Sequence, residues 1–225
     1  MNGQVGRTLL SLAGLGVFLV LAFGSEYSSN KNSNVKTTGS NSSVTTSTNT
    51  QTYTNVKSRF SGKLASNYVG FTFDYPSSWK RDDKAGTGDS PNFVKVEHNT
   101  DEEITLENFA VGYFTGQKQL MPQLAAQLSD QFKSNFPEYQ KVSEGETKVG
   151  EYEGYEFRFT SHTTTGANKP IEIWGRAILL AGDTDRKGAA LVMLATSASP
   201  DVHGVEEVGE KGDLPGVLSS FKFKE

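Results

Sequence analysis

Residues 69–76 read VGFTFDYP. Every second residue from Val69 to Tyr75 is apolar, and the residues between them are small or polar. Because successive side chains of a strand point to opposite faces, this alternation predicts a β-strand with one buried face. Pro76 ends the run, since proline cannot donate a hydrogen bond to a sheet. The stretch therefore places a half-buried strand near the start of the folded part of the chain.

Further strand-like segments follow, separated by turn-rich sequence: residues 93–98, 109–115, 152–161, 171–181 and 189–197. Strands joined by short, hairpin-like links pair in antiparallel order. The last two segments are apolar at successive positions, so that neither face of the sheet is predicted to meet water there. The pattern indicates an antiparallel sheet covered on both sides.

Two segments are predicted to be the helices that cover this sheet. In residues 118–135, apolar side chains recur every fourth position, and Pro137 ends the helix just beyond. These side chains are Leu120, Leu124, Leu128 and Phe132, followed by Phe136. A shorter helix is predicted from Asp213 toward Phe221, with Asp213 as N-cap. The fold class is therefore α+β: an antiparallel β-sheet with helices on both faces, an α/β/α sandwich.

The segments GFTFDYPSSW (residues 70–79), GYEFRF (154–159) and SSF (219–221) resemble the PsbP-like family. The resemblance covers residues 64–225 and implies the α/β/α sandwich of that family. The family includes extrinsic photosystem II subunits, lumenal assembly factors, a Ran-binding nuclear import factor and exported bacterial proteins. Since these proteins differ in activity, the resemblance implies a fold without fixing a function.

The chain begins with a segment that is typical of export. Residues 8–23 are uncharged and largely apolar, and they follow Arg7. A run of 16 residues fits a signal peptide, and an uncleaved membrane anchor is the alternative. Residues 1–24 are therefore predicted to be a signal peptide or membrane anchor, and the protein to be extracytoplasmic: periplasmic, at the cell surface or in a thylakoid lumen.

A polar tract follows the leader. Of residues 25–58, 23 are Ser, Thr or Asn. Such a composition buries too little apolar surface to offset chain entropy. Residues 25–63 are therefore predicted to be a disordered tether, and residues 64–225 a single domain.

Charge and cysteine content exclude several classes of function. Residues 64–225 carry 16 Lys and Arg against 25 Asp and Glu, a net charge of −9. Nucleic-acid binding requires clustered positive charge, so no nucleic-acid partner is expected. The chain contains no cysteine, which excludes disulfides, thiolate metal sites and a cysteine nucleophile.

Few residues are candidates for chemistry. His98, His162 and His203 are the weak candidates for a metal site, because imidazole is a common ligand of zinc and manganese. Trp79, just beyond the strand that Pro76 ends, is a candidate partner contact. There is no Gly-x-Ser-x-Gly motif. No catalytic residue, cofactor or resident metal is predicted.

The leading hypothesis is a non-enzymatic binding or assembly module that contacts an unidentified protein partner outside the cytoplasm, with its N-terminal segment at the membrane. One alternative is a small-ligand or metal-dependent enzyme or sensor with a pocket between sheet and helix. A further alternative is a photosystem II accessory protein, which requires a photosynthetic source.

Overall fold

A seven-stranded antiparallel sheet forms the centre of the protein. The computed structural model describes residues 49–87, 90–100, 104–164, 169–182 and 187–224. The strands are β1 (Thr50–Thr54), β2 (Phe71–Pro76), β3 (Lys80–Arg81), β4 (Asn92–Asn99), β5 (Thr105–Thr115), β6 (Gln140–Val149), β7 (Tyr152–Thr164), β8 (Pro170–Ala181), β9 (Lys187–Thr196) and β10 (Lys222–Phe223). The helices are α1 (Gly62–Ser66), α2 (Met121–Asn135) and α3 (Leu214–Ser220).

The large sheet has the order β3-β4-β5-β9-β8-β7-β6, and all its pairs are antiparallel. This confirms the predicted antiparallel sheet, and each predicted strand has a counterpart. β6 was not among the predicted strands. It is exposed along nearly its whole length, so its sequence lacks the apolar alternation that marks a half-buried strand.

Helix α2 covers one face of the large sheet, packing mainly on β7. Its buried residues include Met121, Ala125, Leu128 and Phe132, while Leu120 is 43% exposed in a 3₁₀ turn before the helix. The predicted stripe is therefore wrong at Leu120. Four residues turn an α-helix by about 400°, so that side chains repeating strictly every four residues drift off one face of the helix. The buried residues are spaced by four, three and four positions, which keeps them on one face.

The other face of the large sheet is covered by α3 together with a second sheet of order β1-β2-β10. Phe71 and Phe73 of β2 are fully buried in the core between the two sheets. Helices thus lie on both faces, as predicted, and the second sheet adds to the cover on the α3 side.

The structure corrects the predicted boundary between tether and domain. β1 pairs with β2 from Thr50 to Thr54, and Tyr53 is 6% exposed. Burial raises the pKa of Tyr53 to about 12. Residues 50–54, which were predicted to belong to the tether, are therefore part of the folded domain. Threonine favours strands, so a buried tyrosine between threonines is compatible with an edge strand here.

The predicted leader, residues 1–24, and most of the predicted tether lie outside the described residues. Within the described ranges, no helix has both the length and the apolar character that crossing a bilayer requires.

Candidate functional site

The three candidate histidines lie in different parts of the fold. His98 is on β4, His162 is on β7, and His203 follows β9. Three strands separate β4 from β7, which corresponds to about 19 Å at the usual strand spacing. The structure does not bring these imidazoles together. Among the described residues, no group of three or more His, Asp or Glu side chains is arranged to hold a metal ion.

Each histidine instead has local neighbours. The His98 ring stacks on Trp79 with a centroid separation of 6.2 Å. The two ring nitrogens of His162 lie 3.8 Å from carboxylate oxygens of Glu138 and Glu172, on opposite sides of the ring. A single metal ion cannot use both carboxylates together with one imidazole nitrogen in that arrangement.

Trp79 is buried, with 2% of its surface exposed. Its indole Nε1 donates a hydrogen bond to Oδ2 of Asp213 at 3.1 Å. The structure therefore places the Trp79 ring in the core, under the residue that precedes α3. A buried indole N–H needs an acceptor. The sequence does not show that a residue 134 positions away supplies it.

A buried carboxylate, Glu107 on β5, holds the start of α3. It is 3% exposed and accepts hydrogen bonds from the backbone N–H groups of Asp213 (3.2 Å) and Leu214 (3.3 Å). Burial raises the pKa of the Glu107 carboxyl above its usual range, although these two hydrogen bonds act in the opposite direction. Glu107 therefore serves as a structural anchor.

Two buried arginines hold the segment between β9 and α3. Arg158 of β7 and Arg176 of β8 lie directly opposite each other in the sheet. Arg158 Nη1 donates to the carbonyl oxygens of Val205, Glu206 and Val208 at 2.8, 3.3 and 3.2 Å. Arg176 donates to Glu156 Oε2 at 3.0 and 2.7 Å and to Glu210 at 2.8 Å. The protein itself thus engages both guanidinium groups, which fix residues 205–210 on the sheet.

An open cavity lies beside α2. It has a volume of about 740 Å³ and is formed by the 3₁₀ turn and first residues of α2 on one side, and by the β6–β7 hairpin on the other. Met121, Pro122 and Tyr155 contribute apolar surface, and Thr147 and Gly154 contribute polar and backbone surface. This volume is typical of a small-molecule or side-chain binding pocket.

A second cavity of about 250 Å³ lies further along the same side of α2, where Ser129, Asp130 and Lys133 of the helix face Tyr139 and Lys141. The Ser129 and Tyr139 hydroxyls are 2.6 Å apart and hydrogen-bonded. Both cavities thus lie between one side of α2 and the end of the sheet formed by β6. We call this region the α2–β6 crevice.

The α2–β6 crevice carries charges of both signs. Lys118 pairs with Glu153 at 2.7 Å, and the hydrogen bond from Lys118 lowers the pKa of the Glu153 carboxyl. Lys141 pairs with Glu144 at 2.7 Å. A surface with mixed charge and a few apolar side chains suits a polar, peptide-like ligand better than a lipid or a nucleic acid.

The apolar pattern of the sequence does not indicate this crevice. Its residues come from the start of α2 and from β6, which are close only after folding. One signal was present: the Glu144-x-Glu146-x-Lys148 pattern before the Gly150-Glu151 turn is typical of an exposed edge strand.

The fold and the crevice define a class: an α+β sandwich domain with an open groove beside an edge strand. No family model matches the chain, and no curated protein matches it. Several solved structures are similar. One is a protein from Bacteroides thetaiotaomicron, with a TM-score of 0.41 and 10% identity over 69% of this chain. The match covers 45% of that protein, so this chain spans less than half of its length.

LpqN, described as involved in cell envelope biogenesis of Mycobacterium tuberculosis, is similar with a TM-score of 0.45 and 8% identity, over 78% of this chain and 92% of LpqN. Cyanobacterial PsbP (CyanoP) from Synechocystis is similar with a TM-score of 0.45 and 11% identity, over 79% of this chain and 94% of PsbP. The resemblance to PsbP-like proteins in the sequence thus has a counterpart among these structures. At identities of 8 to 11%, the similarity concerns backbone architecture alone.

Proposed function

We propose that this protein is a non-enzymatic binding module that is exported or tethered to a membrane and contacts a protein complex outside the cytoplasm. The observation that carries the proposal is the α2–β6 crevice, an open, mixed-charge groove on the described part of the domain. The buried carboxylate and the two buried arginines are engaged in holding the fold together. The leader-like residues 8–23 support the location.

The proposal is tested by capture from native membranes. The tagged full chain is expressed in its source organism, crosslinked in intact cells and purified in detergent, and the retained proteins are identified by mass spectrometry. The matched control is a tagged chain of residues 1–48 alone, which has the leader and most of the tract but no domain. We expect a membrane or envelope protein that is retained only by the full chain. Identical sets of proteins from both chains would contradict the proposal.

The location is tested separately, with a protease-sensitive tag placed after Glu225. In cells with a permeabilised outer layer and an intact inner membrane, added protease is expected to remove the tag. A tag that is cut only after the inner membrane is lysed would show that the domain is cytoplasmic.

A second function, a small-ligand sensor or enzyme, is favoured by the 740 Å³ volume of the cavity at the start of α2. A ligand that binds the native state raises the unfolding temperature. A panel of metabolites and metal ions, tested by thermal unfolding of the full chain in detergent, therefore separates the two functions. A specific, saturable rise that is lost when Thr147 is replaced by tryptophan would support the sensor.

A further inference from the structure

β6 forms one edge of the large sheet. It pairs with β7 along its length, and within the described residues no strand lies on its other side. Every second residue of an edge strand directs its N–H and C=O groups away from the sheet, where they are unpaired. The main chain of another extended segment satisfies such a row of alternating donors and acceptors, which is the basis of β-strand addition.

The accessible part of this edge is regular. The single irregularity in the β6–β7 register lies between Lys141 and Ser143, and the pairing continues without a break from Ser143 to Val149. Bulges and charges commonly prevent unwanted pairing at sheet edges. Here the bulge is confined to one end, so residues 143–149 keep the straight geometry that strand addition needs.

Two charged side chains on β6 form no close ion pair among the described residues, although Lys148 lies opposite Glu153 in the β6–β7 register and helps to lower the pKa of its carboxyl. Glu146 and Lys148 are exposed, whereas Glu144 is paired with Lys141. Glu146 and Lys148 are two residues apart, so they lie on the same face of the strand. At the other end of β6, Val142 is 48% exposed. The edge thus presents a negative charge, a positive charge and an apolar side chain in a fixed order.

We propose that β6 is a docking strand that accepts an extended segment of the partner protein as an eighth, antiparallel strand. The inference rests on the proposed function and names its site and the chemistry of its ligand. All pairs in the sheet are antiparallel, and an added strand continues that pattern. The residue opposite Lys148 then precedes the residue opposite Glu146 by two positions. The complementary partner sequence is therefore acidic–any–basic.

The α2–β6 crevice is suited to strand addition, because every second side chain of an added strand points toward the face of the sheet that α2 covers. The cavities of about 740 and 250 Å³ lie at the two ends of the crevice and accept such side chains. Main-chain pairing then supplies affinity, and the two cavities and the two charges supply specificity.

A second copy of this chain is a poorer occupant than a partner segment. An antiparallel β6–β6 pair that matches Glu146 with Lys148 has its two-fold axis at Thr147. The strand ends at Val149, just before the hairpin turn, so only residues 145–149 of each copy overlap. Five paired residues on each chain fall well below the roughly 1,200 Å² that a stable interface buries.

The first experiment places a photo-crosslinking amino acid at Glu144, Glu146 or Lys148 of the full chain in native membranes. Gln51, exposed on β1, is the control site. We expect the three β6 positions to crosslink to one partner segment at residues two apart and in reverse order, with no such product from Gln51. Crosslinks without that register, crosslinks only from Gln51, or crosslinks to a second copy overturn the docking strand and leave the proposed function standing. If neither surface gives crosslinks, the proposed function fails as well.

The second experiment exchanges the two exposed charges of β6 in the combined variant Glu146→Lys with Lys148→Glu, read out with the crosslinker at Glu144. Two favourable charge pairs become repulsive, and crosslinking is expected to fall by roughly tenfold. The matched control exchanges an exposed ion pair outside the crevice, Lys211→Glu with Glu207→Lys, which keeps an internal pair and the net charge. Exchanging the acidic and basic residues of the identified partner segment should restore crosslinking to the first variant. Equal yields from both variants would overturn the charge recognition.

Discussion

At the scale of single residues, Gly212 shows how closely the start of α3 is fitted. Its φ is +72°, and a Cβ at this position would lie 2.3 Å from Oε1 of the buried Glu107 carboxylate. An alanine therefore meets backbone strain and a steric clash together. We expect Gly212→Ala to lower the free energy of unfolding by about 2–3 kcal/mol in urea titrations.

The matched control for Gly212→Ala lies in the same element. Gly216 is inside α3, and a Cβ there would have no atom within 4 Å. Because alanine is a better helix former than glycine, Gly216→Ala is expected to leave stability unchanged or to raise it by up to about 1 kcal/mol. Equal losses for the two variants would show that the contact with Glu107 does not limit position 212.

Glu107 makes stability depend on pH. Burial raises the pKa of its carboxyl in the folded protein. The folded state therefore holds the proton more tightly than the unfolded state, which favours folding at low pH. This contribution is complete below the unfolded pKa of about 4.3 and is lost as the pH rises through the folded pKa. Glu107→Gln mimics the protonated form and removes the dependence.

The measurement for Glu107 is a series of urea unfolding curves for both proteins between pH 4 and pH 8. Relative to Glu107→Gln, the wild-type protein is expected to lose stability as the pH increases across the weakly acidic range. If the free energies of the two proteins remain parallel throughout, Glu107 does not titrate with a raised pKa.

At the scale of elements, the segment with the 3₁₀ turn at Val205–Glu207 depends on Arg158. The Arg158 side chain is 8% exposed and bonds three carbonyl oxygens of this segment. Arg158→Ala removes the side-chain donor of all three carbonyls, while Arg176 still donates to Glu156 and Glu210. We expect a loss of about 3–5 kcal/mol in the free energy of unfolding and faster amide hydrogen exchange in residues 205–210.

Lys118→Ala is the control for Arg158→Ala, because it removes a cation whose ion pair with Glu153 lies at the surface. Exposed ion pairs contribute little to stability. This variant is expected to change neither the unfolding transition nor the exchange of residues 205–210. Unchanged exchange in Arg158→Ala would show that Arg176 and the apolar contacts hold the segment without Arg158.

The elements differ in how well their sequence predicts them. β2 and α2 carry apolar periodicity because each buries one face, β8 and β9 are apolar at successive positions because both of their faces are buried, and all four were predicted. β6 buries almost nothing, and β1 contributes a single buried side chain, Tyr53. Edge strands are stabilised by backbone pairing with a neighbouring strand, and this pairing leaves no hydrophobic periodicity in the sequence.

At the scale of the whole molecule, β1 extends the folded domain to residues before Leu64. A chain that starts at Leu64 lacks β1, which covers one edge of β2, and it loses the buried Tyr53. Removing one large buried aromatic side chain costs about 3–5 kcal/mol, and the loss of the strand pairing adds to this. We expect such a chain to unfold at least 3 kcal/mol more easily, or to aggregate through the uncovered edge.

A chain that starts at Asn49 keeps β1 and every described contact, and is the matched control. It is expected to show the unfolding free energy of the full chain in urea titrations followed by tryptophan fluorescence. Equal stability of the chains that start at Asn49 and Leu64 would mean that β1 is dispensable for the fold.

The fold class and the central strands follow from the sequence alone, because burial leaves either an alternating or a continuous apolar pattern that can be counted. The absence of cysteine excludes disulfides and thiolate chemistry in the same direct way. The positions of isolated polar and aromatic residues depend instead on the tertiary structure. The N–H of the buried Trp79 donates to Asp213, and His98 and His162 lie four strand spacings apart. The α2–β6 crevice is likewise visible only in the folded protein, since strand order and long-range hydrogen bonds depend on which distant segments meet.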